Sequence, residues 1–177
     1  MMSAPLGKIL VSVGEKCACV KIAGHATVTT SVDFKTLLNE LLQNGYTYFV
    51  LDLTECTLMD STFLGVLAGF GLKVNGPQAD ARERVIELFN PNPRVAGVLE
   101  NLGVIHLFTV GRGEVELPGK TEPRDHTPAE PGREEIKRTC LEAHQILMNM
   151  NPANAARFKD VAAFLAEDLK KLKTDQG

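Results

Sequence analysis

Lys8-Ile9-Leu10-Val11-Ser12-Val13, apolar at four of its six positions, predicts a strand, with the turn after it at Gly14-Glu15. Cys17-Ala18-Cys19-Val20-Lys21-Ile22 predicts a second strand, ended by Gly24 and near enough to form a hairpin with the first. The period then changes. From Ser31 to Asn44, Val32, Leu37, Leu38, Leu41 and Leu42 share one side of a helix that Gly45 stops. Tyr46 to Leu53 is β-branched and aromatic, with the near-continuous apolar character of a strand buried on both faces.

Ser61 to Val74 predicts a helix that is apolar almost all round. Gly65, Ala68 and Gly69 leave room there for close approach to a sheet. A glycine inside a helix costs about 1 kcal/mol relative to alanine, so a packing reason is expected. Asn75-Gly76-Pro77 ends this helix and Gln78 to Arg82 forms a polar loop. Arg84 to Phe89 predicts a strand. Asn92 is placed as an N-cap with Pro93 in the first turn, opening a helix over Arg94 to Asn101 that Gly103 stops. Ile105 to Val110 closes the pattern as a strand.

Beyond Gly111 the texture changes to Gly, Pro, Glu, Lys and Arg, which predicts a linker over residues 112–132. Two amphipathic helices follow over 133–174. Ile136, Cys140, Ala143, Leu147 and Met150 form one stripe; Phe158, Val161, Ala162, Leu165, Leu169 and Leu172 form the other. Asn151-Pro152 between them predicts a cap and a helical hairpin. The expected architecture is an α/β body over residues 1–111, with a mixed sheet covered mainly on one side by helices, then the linker and the hairpin. The hairpin is expected to pack back on the body or to offer a homodimer or partner surface.

Composition narrows the classes. A chain of 177 residues with 44% hydrophobic and 23% charged residues buries its own core. A net charge of -3 without a basic stripe argues against nucleic-acid binding. Cys17, Cys19, Cys56 and Cys140 lack metal or redox spacing and read as small buried hydrophobes, so no metal or cofactor is expected. Residues 1–10 do not resemble a signal peptide. The longest apolar run, Phe63 to Leu72, is about half the roughly 20 residues a membrane span needs. The expectation is a soluble, cytoplasmic protein.

The chemistry concentrates at Met59-Asp60-Ser61-Thr62, where a strand region hands over to an apolar helix. Ser61 reads as the N-cap, with Asp60 adding negative charge at the positive helix end. A nucleophilic serine needs a base within reach, and the Gly-x-Ser-x-Gly elbow is absent. His25 is placed in a loop, His106 inside a strand, His126 in the extension and His144 on a partly exposed polar face. A phosphate acceptor needs less: an exposed hydroxyl, with the free N–H groups of a first helical turn to tolerate the anion. Such a modification is expected to act on binding, with little internal rearrangement.

Asp52-Leu53 leading into Met59 to Leu67 resembles the STAS domain of bacterial anti-sigma factor antagonists. Phe89-Asn90-Pro91-Asn92-Pro93-Arg94-Val95 and Leu99 to Val104 reinforce the likeness, which covers about three-fifths of the chain. The resemblance implies a mixed sheet of four to five strands with helices mainly on one face. It also implies a non-enzymatic, partner-switching regulator of transcription. An anti-sigma factor serine kinase would bind it and phosphorylate Ser61, a phosphatase would reset it, and Thr62 is the fallback acceptor. Asp60, Ser61, Thr62 and Phe63 would form the partner contact. Two positions depart from the pattern: Phe63, a core residue before it is an exposed partner anchor, stands where many members have Gly, and Gly24-His25-Ala26-Thr27 lacks the usual acid. The alternative is a non-switching STAS scaffold subunit of a signalling or transport-associated complex.

Overall fold

The computed structural model describes residues 7–76, 84–115, 122–124 and 130–175. The loop expected at Gln78 to Arg82, and His126, lie outside them. β1 (Lys8–Val13) and β2 (Cys17–Ala26) form the expected antiparallel hairpin. β3 (Tyr48–Asp52) and β5 (Val85–Phe89) then add in parallel. β6 (Thr109–Gly111) pairs with β5, giving the order β6-β5-β3-β2-β1. The register lines up Val11, Val20, Leu51 and Leu88 across four strands, each 4% exposed or less.

That row faces α1 (Val28–Gln43) and α2 (Ser61–Asn75), whose Leu37, Leu38, Leu41, Leu64 and Leu67 join the same core. On β2 the opposite positions, Cys19, Lys21, Ala23 and His25, stay partly exposed, so helices cover one face of this strand. Each fully buried aliphatic or aromatic side chain contributes about 1.5–3 kcal/mol, so this shared core fixes how the elements stack.

Several boundaries differ from expectation, each for a local reason. Gly24 does not end β2. It takes φ 78° at a bulge, after which His25 and Ala26 pair with β4 (Cys56–Met59), a strand the pattern did not announce. His25 is therefore a strand residue. α1 starts at Val28 rather than Ser31, since the Thr30 hydroxyl accepts from the Thr27 N–H at 3.0 Å and closes the first turn. The run from Ile105 divides into a 3-10 turn over Ile105–Leu107, which holds His106, and the short β6. Within the expected linker, β7 (Glu122–Arg124) pairs with the edge of β1, a place that tolerates Pro123. β4 and β7 raise the strand number above the expected four to five.

α3 (Pro93–Asn101) opens as expected on Asn92, whose Oδ1 accepts from Val95 N–H at 2.8 Å. The same side chain donates to the carbonyls of Cys56 and Thr57, anchoring α3 to β4. α4 (Arg133–Met150) and α5 (Pro152–Asp175) form the hairpin, turned at Asn151. It packs back on the body. Buried Asn154 donates to Leu102 O and Leu147 O, and the Lys35–Glu142 ion pair joins α1 to α4.

Candidate functional site

β4 delivers the chain to Asp60, whose N–H donates to Ala26 O at 2.9 Å at the end of β2. The N-cap of α2 is Asp60, not Ser61. Its Oδ1 accepts from Phe63 N–H and its Oδ2 from Val28 N–H, both at 2.8 Å. One carboxylate thus bridges the first turns of α1 and α2, satisfying orphan donors at both positive ends. Ser61 is the first helical residue and is half-buried.

Below it the helix turns inward. Phe63 is fully buried and stacks on Phe34 with ring centroids 4.5 Å apart. Of the two roles open to it, core residue or exposed partner anchor, the burial is that of a core residue. Thr62 is 4% exposed, and its hydroxyl lies 3.2 Å from Cys140 Sγ. Asp60 and Ser61 alone stand at the edge of the surface.

The sequence reading missed the groups that roof this edge. His144 is 4% exposed, not on a polar face, and its Nε2 lies 2.9 Å from Ser61 Oγ. His144 Nδ1 lies 2.7 Å from the Cys140 carbonyl, which can only accept, so Nδ1 carries the proton. In the neutral ring Nε2 is then the acceptor and Ser61 donates. The Phe158 ring on α5 packs against the imidazole in a T-shaped pair, with centroids 5.0 Å apart. One signal pointed to His144: it stands four residues after Cys140 and three before Leu147, on the flank of the apolar stripe of α4.

The two titratable groups shift each other. Burial pushes the Cys140 thiol up, but hydrogen bonds to His144 and Thr62 outweigh it and leave the thiol below its ordinary value. Burial pulls His144 down, while its contacts with the Cys140 thiol and carbonyl and the Asp60 charge hold it above the ordinary histidine value. Cys56, by contrast, is pushed up to about 11 by burial.

Close backbone approach makes this contact possible. A Cβ on Gly65 would stand 2.4 Å from the Ala143 carbonyl oxygen, so only glycine lets α4 lie there. The close approach that Gly65 was expected to serve is therefore to a helix and not to the sheet. Beside it, a cavity of about 180 Å3 between α1, α2 and α4 is lined by Lys35, Lys73, Phe70, Glu142 and Ile146 and does not reach Ser61. Among the described residues no cluster of His, Cys, Asp and Glu could hold a metal, and no helix is long and apolar enough to cross a membrane.

The fold has solved counterparts. An anti-sigma factor antagonist from Mycobacterium paratuberculosis superposes with a TM-score of 0.52 at 16% identity, over 62% of this chain and 90% of that one. The anti-sigma factor antagonist SpoIIAA in its unphosphorylated form gives 0.49 at 15% identity, over 58% and 87%. The Bacillus cell fate determinant SpoIIAA in its phosphorylated form gives 0.46 at 15%, over 59% and 90%. At 16% identity the first of these is a likeness of fold alone. No curated protein sequence matches the chain. The family model described as "Mlab, STAS domain" matches residues 9–109, more than half of the length, and the chain belongs to the STAS-domain family.

Proposed function

We propose that this STAS-domain protein is a regulatory, non-enzymatic binding module of the anti-sigma factor antagonist type, controlled by phosphorylation of Ser61. The observation that carries this reading is the placement of Ser61 as the first residue of α2, at the rim of the body. The Ser61 and Thr62 N–H groups belong to the unbonded donors of a first helical turn, where an anion is tolerated. In the modification, Ser61 Oγ attacks the terminal phosphorus of a nucleoside triphosphate held by the partner kinase. The O–P bond forms, the nucleoside diphosphate leaves, and the hydroxyl proton passes to a base. The product adds about -1.5 to -2 charges next to Asp60. That charge would weaken contact with an acidic partner surface, and a phosphatase would restore it. Thr62 as the fallback acceptor would first have to leave Cys140.

The test is to recover the tagged chain from its own cells and map phosphate by mass spectrometry. Binding of the co-purified partner to wild type, Ser61→Ala and Ser61→Asp is then compared. Phosphate at Ser61, with binding kept by Ser61→Ala and lost in Ser61→Asp, supports the switch. Partner binding indifferent to both substitutions would sink it.

A second reading has its own observation. Ser61 is already hydrogen-bonded to a buried histidine, as a purely structural serine would be. On that reading the chain is a non-switching STAS scaffold subunit of a signalling or transport-associated complex.

A further inference from the structure

We propose, resting on the Ser61 switch above, that the α4–α5 hairpin is an intramolecular competitor for the switch surface. Docking of α4 on α2 and a phosphoryl group on Ser61 exclude each other. Three observations converge on this.

The first is occupancy. His144 Nε2 stands 2.9 Å from Ser61 Oγ, and Cys140 Sγ stands 3.2 Å from the neighbouring Thr62 hydroxyl. A transferred phosphoryl group adds a phosphorus and three oxygens to an atom whose nearest neighbour is already at hydrogen-bond distance. The second is charge. The doubly negative group would be brought beside the Asp60 carboxylate, which is fixed by two backbone N–H bonds. The third is fit. At the Gly65–Ala143 crossing the helices are too close to admit even a methyl group, so α4 cannot slide aside by small steps. Packed interfaces of this kind are bistable and open as a unit.

The hairpin also lies wholly outside residues 9–109, so it is an addition to the STAS body. Being on the same chain, it competes with an external partner at an effective concentration on the order of millimolar. Unmodified protein is therefore held in a covered state, and either a tight partner or the modification uncovers α2. The modification moves the hairpin, contrary to the expectation of little internal rearrangement.

The experiment uses the full chain with phosphoserine installed at position 61 by amber suppression, compared with unmodified protein by hydrogen exchange. Amides from Thr139 to Leu147 should exchange about tenfold faster or more, equivalent to about 1.4 kcal/mol. Alkylation of Cys140 by iodoacetamide should rise in parallel, while Phe49 to Leu51 stay protected. Equal or stronger protection of α4 with phosphoserine, as would follow if the phosphate paired with the imidazolium, overturns the proposal. Gly65→Ala puts a methyl against the Ala143 carbonyl and should open α4 without phosphate. If it does so and phosphoserine does not, the exclusion fails while the phosphorylation reading stands. Absence of phosphate at Ser61 in cells sinks that reading, and the exclusion is still decided by the exchange measurement.

Discussion

The Ser61 hydroxyl donates to His144 Nε2 at 2.9 Å across 83 residues of sequence, coupling the start of α2 to the added hairpin. Removing Ser61 leaves the buried His144 Nε2 without its bond, which costs about 1–3 kcal/mol, whereas Ser61 is only half-buried and loses less when His144 is removed. The coupling itself is expected at about 1 kcal/mol. A double-mutant cycle of Ser61→Ala and His144→Ala by urea unfolding measures it. Additive effects would show that the bond contributes nothing to holding α4.

Asp60 is predicted to be structural before it is functional. Its carboxylate serves backbone donors of two helices, so Asp60→Ala loses a cap and a charge-assisted tertiary bond, together about 2–4 kcal/mol. Asp60→Asn keeps one acceptor and should cost less. Urea midpoints of both variants decide this. Partner-binding losses in Asp60→Ala should track lost stability, and a binding loss at unchanged midpoint would assign Asp60 a direct contact.

Phe63 tests the boundary between core and contact surface. Stacked on Phe34 with no exposure, it should cost about 3–5 kcal/mol on truncation to alanine. Phe63→Leu should cost less and leave partner binding unchanged at matched folded fraction. Weakened binding by folded Phe63→Leu would contradict the assignment to the core.

The body was legible because its signals are local. Apolar period, the Asn92-Pro93 start and the glycine stops set α2, α3, β1, β3 and β5 within a few residues. What stayed hidden depends on tertiary pairing. β4 is four residues long and holds its place through β2 after the Gly24 bulge. The start of α1 at Val28 runs through Thr29 and Thr30, poor helix formers that owe their place to the Thr27–Thr30 cap and the Asp60 bond. Asp60 and Ser61 were found from hydroxyl and charge at a helix start. Asp60, not Ser61, is the cap through its local bond to Phe63 N–H, and only its second bond, to Val28 N–H, depends on β4 placing it beside α1. Cys140 and His144 were not found as site residues, since no rule of spacing links them to position 61 across the intervening chain.

The pH dependence of the covered site follows from the two shifted groups. His144 is held above its ordinary value of 6.5 in the folded protein. Its stabilising contribution is therefore complete below pH 6.5 and is lost as pH rises through the folded value. Protonation does not break the contact with Ser61, since the hydroxyl oxygen can accept from Nε2–H once the ring is charged. Cys140 runs the other way. Held below its ordinary 9.0, it stabilises fully above pH 9.0 and loses that contribution as pH falls through its folded value. The difference in urea midpoint between wild type and His144→Gln should thus shrink as pH rises above 6.5. The difference between wild type and Cys140→Ala should grow towards pH 9. A flat difference for both variants across this range would show that neither group changes charge on folding. It would also mean that the contacts among Cys140, His144 and Asp60 do not outweigh burial.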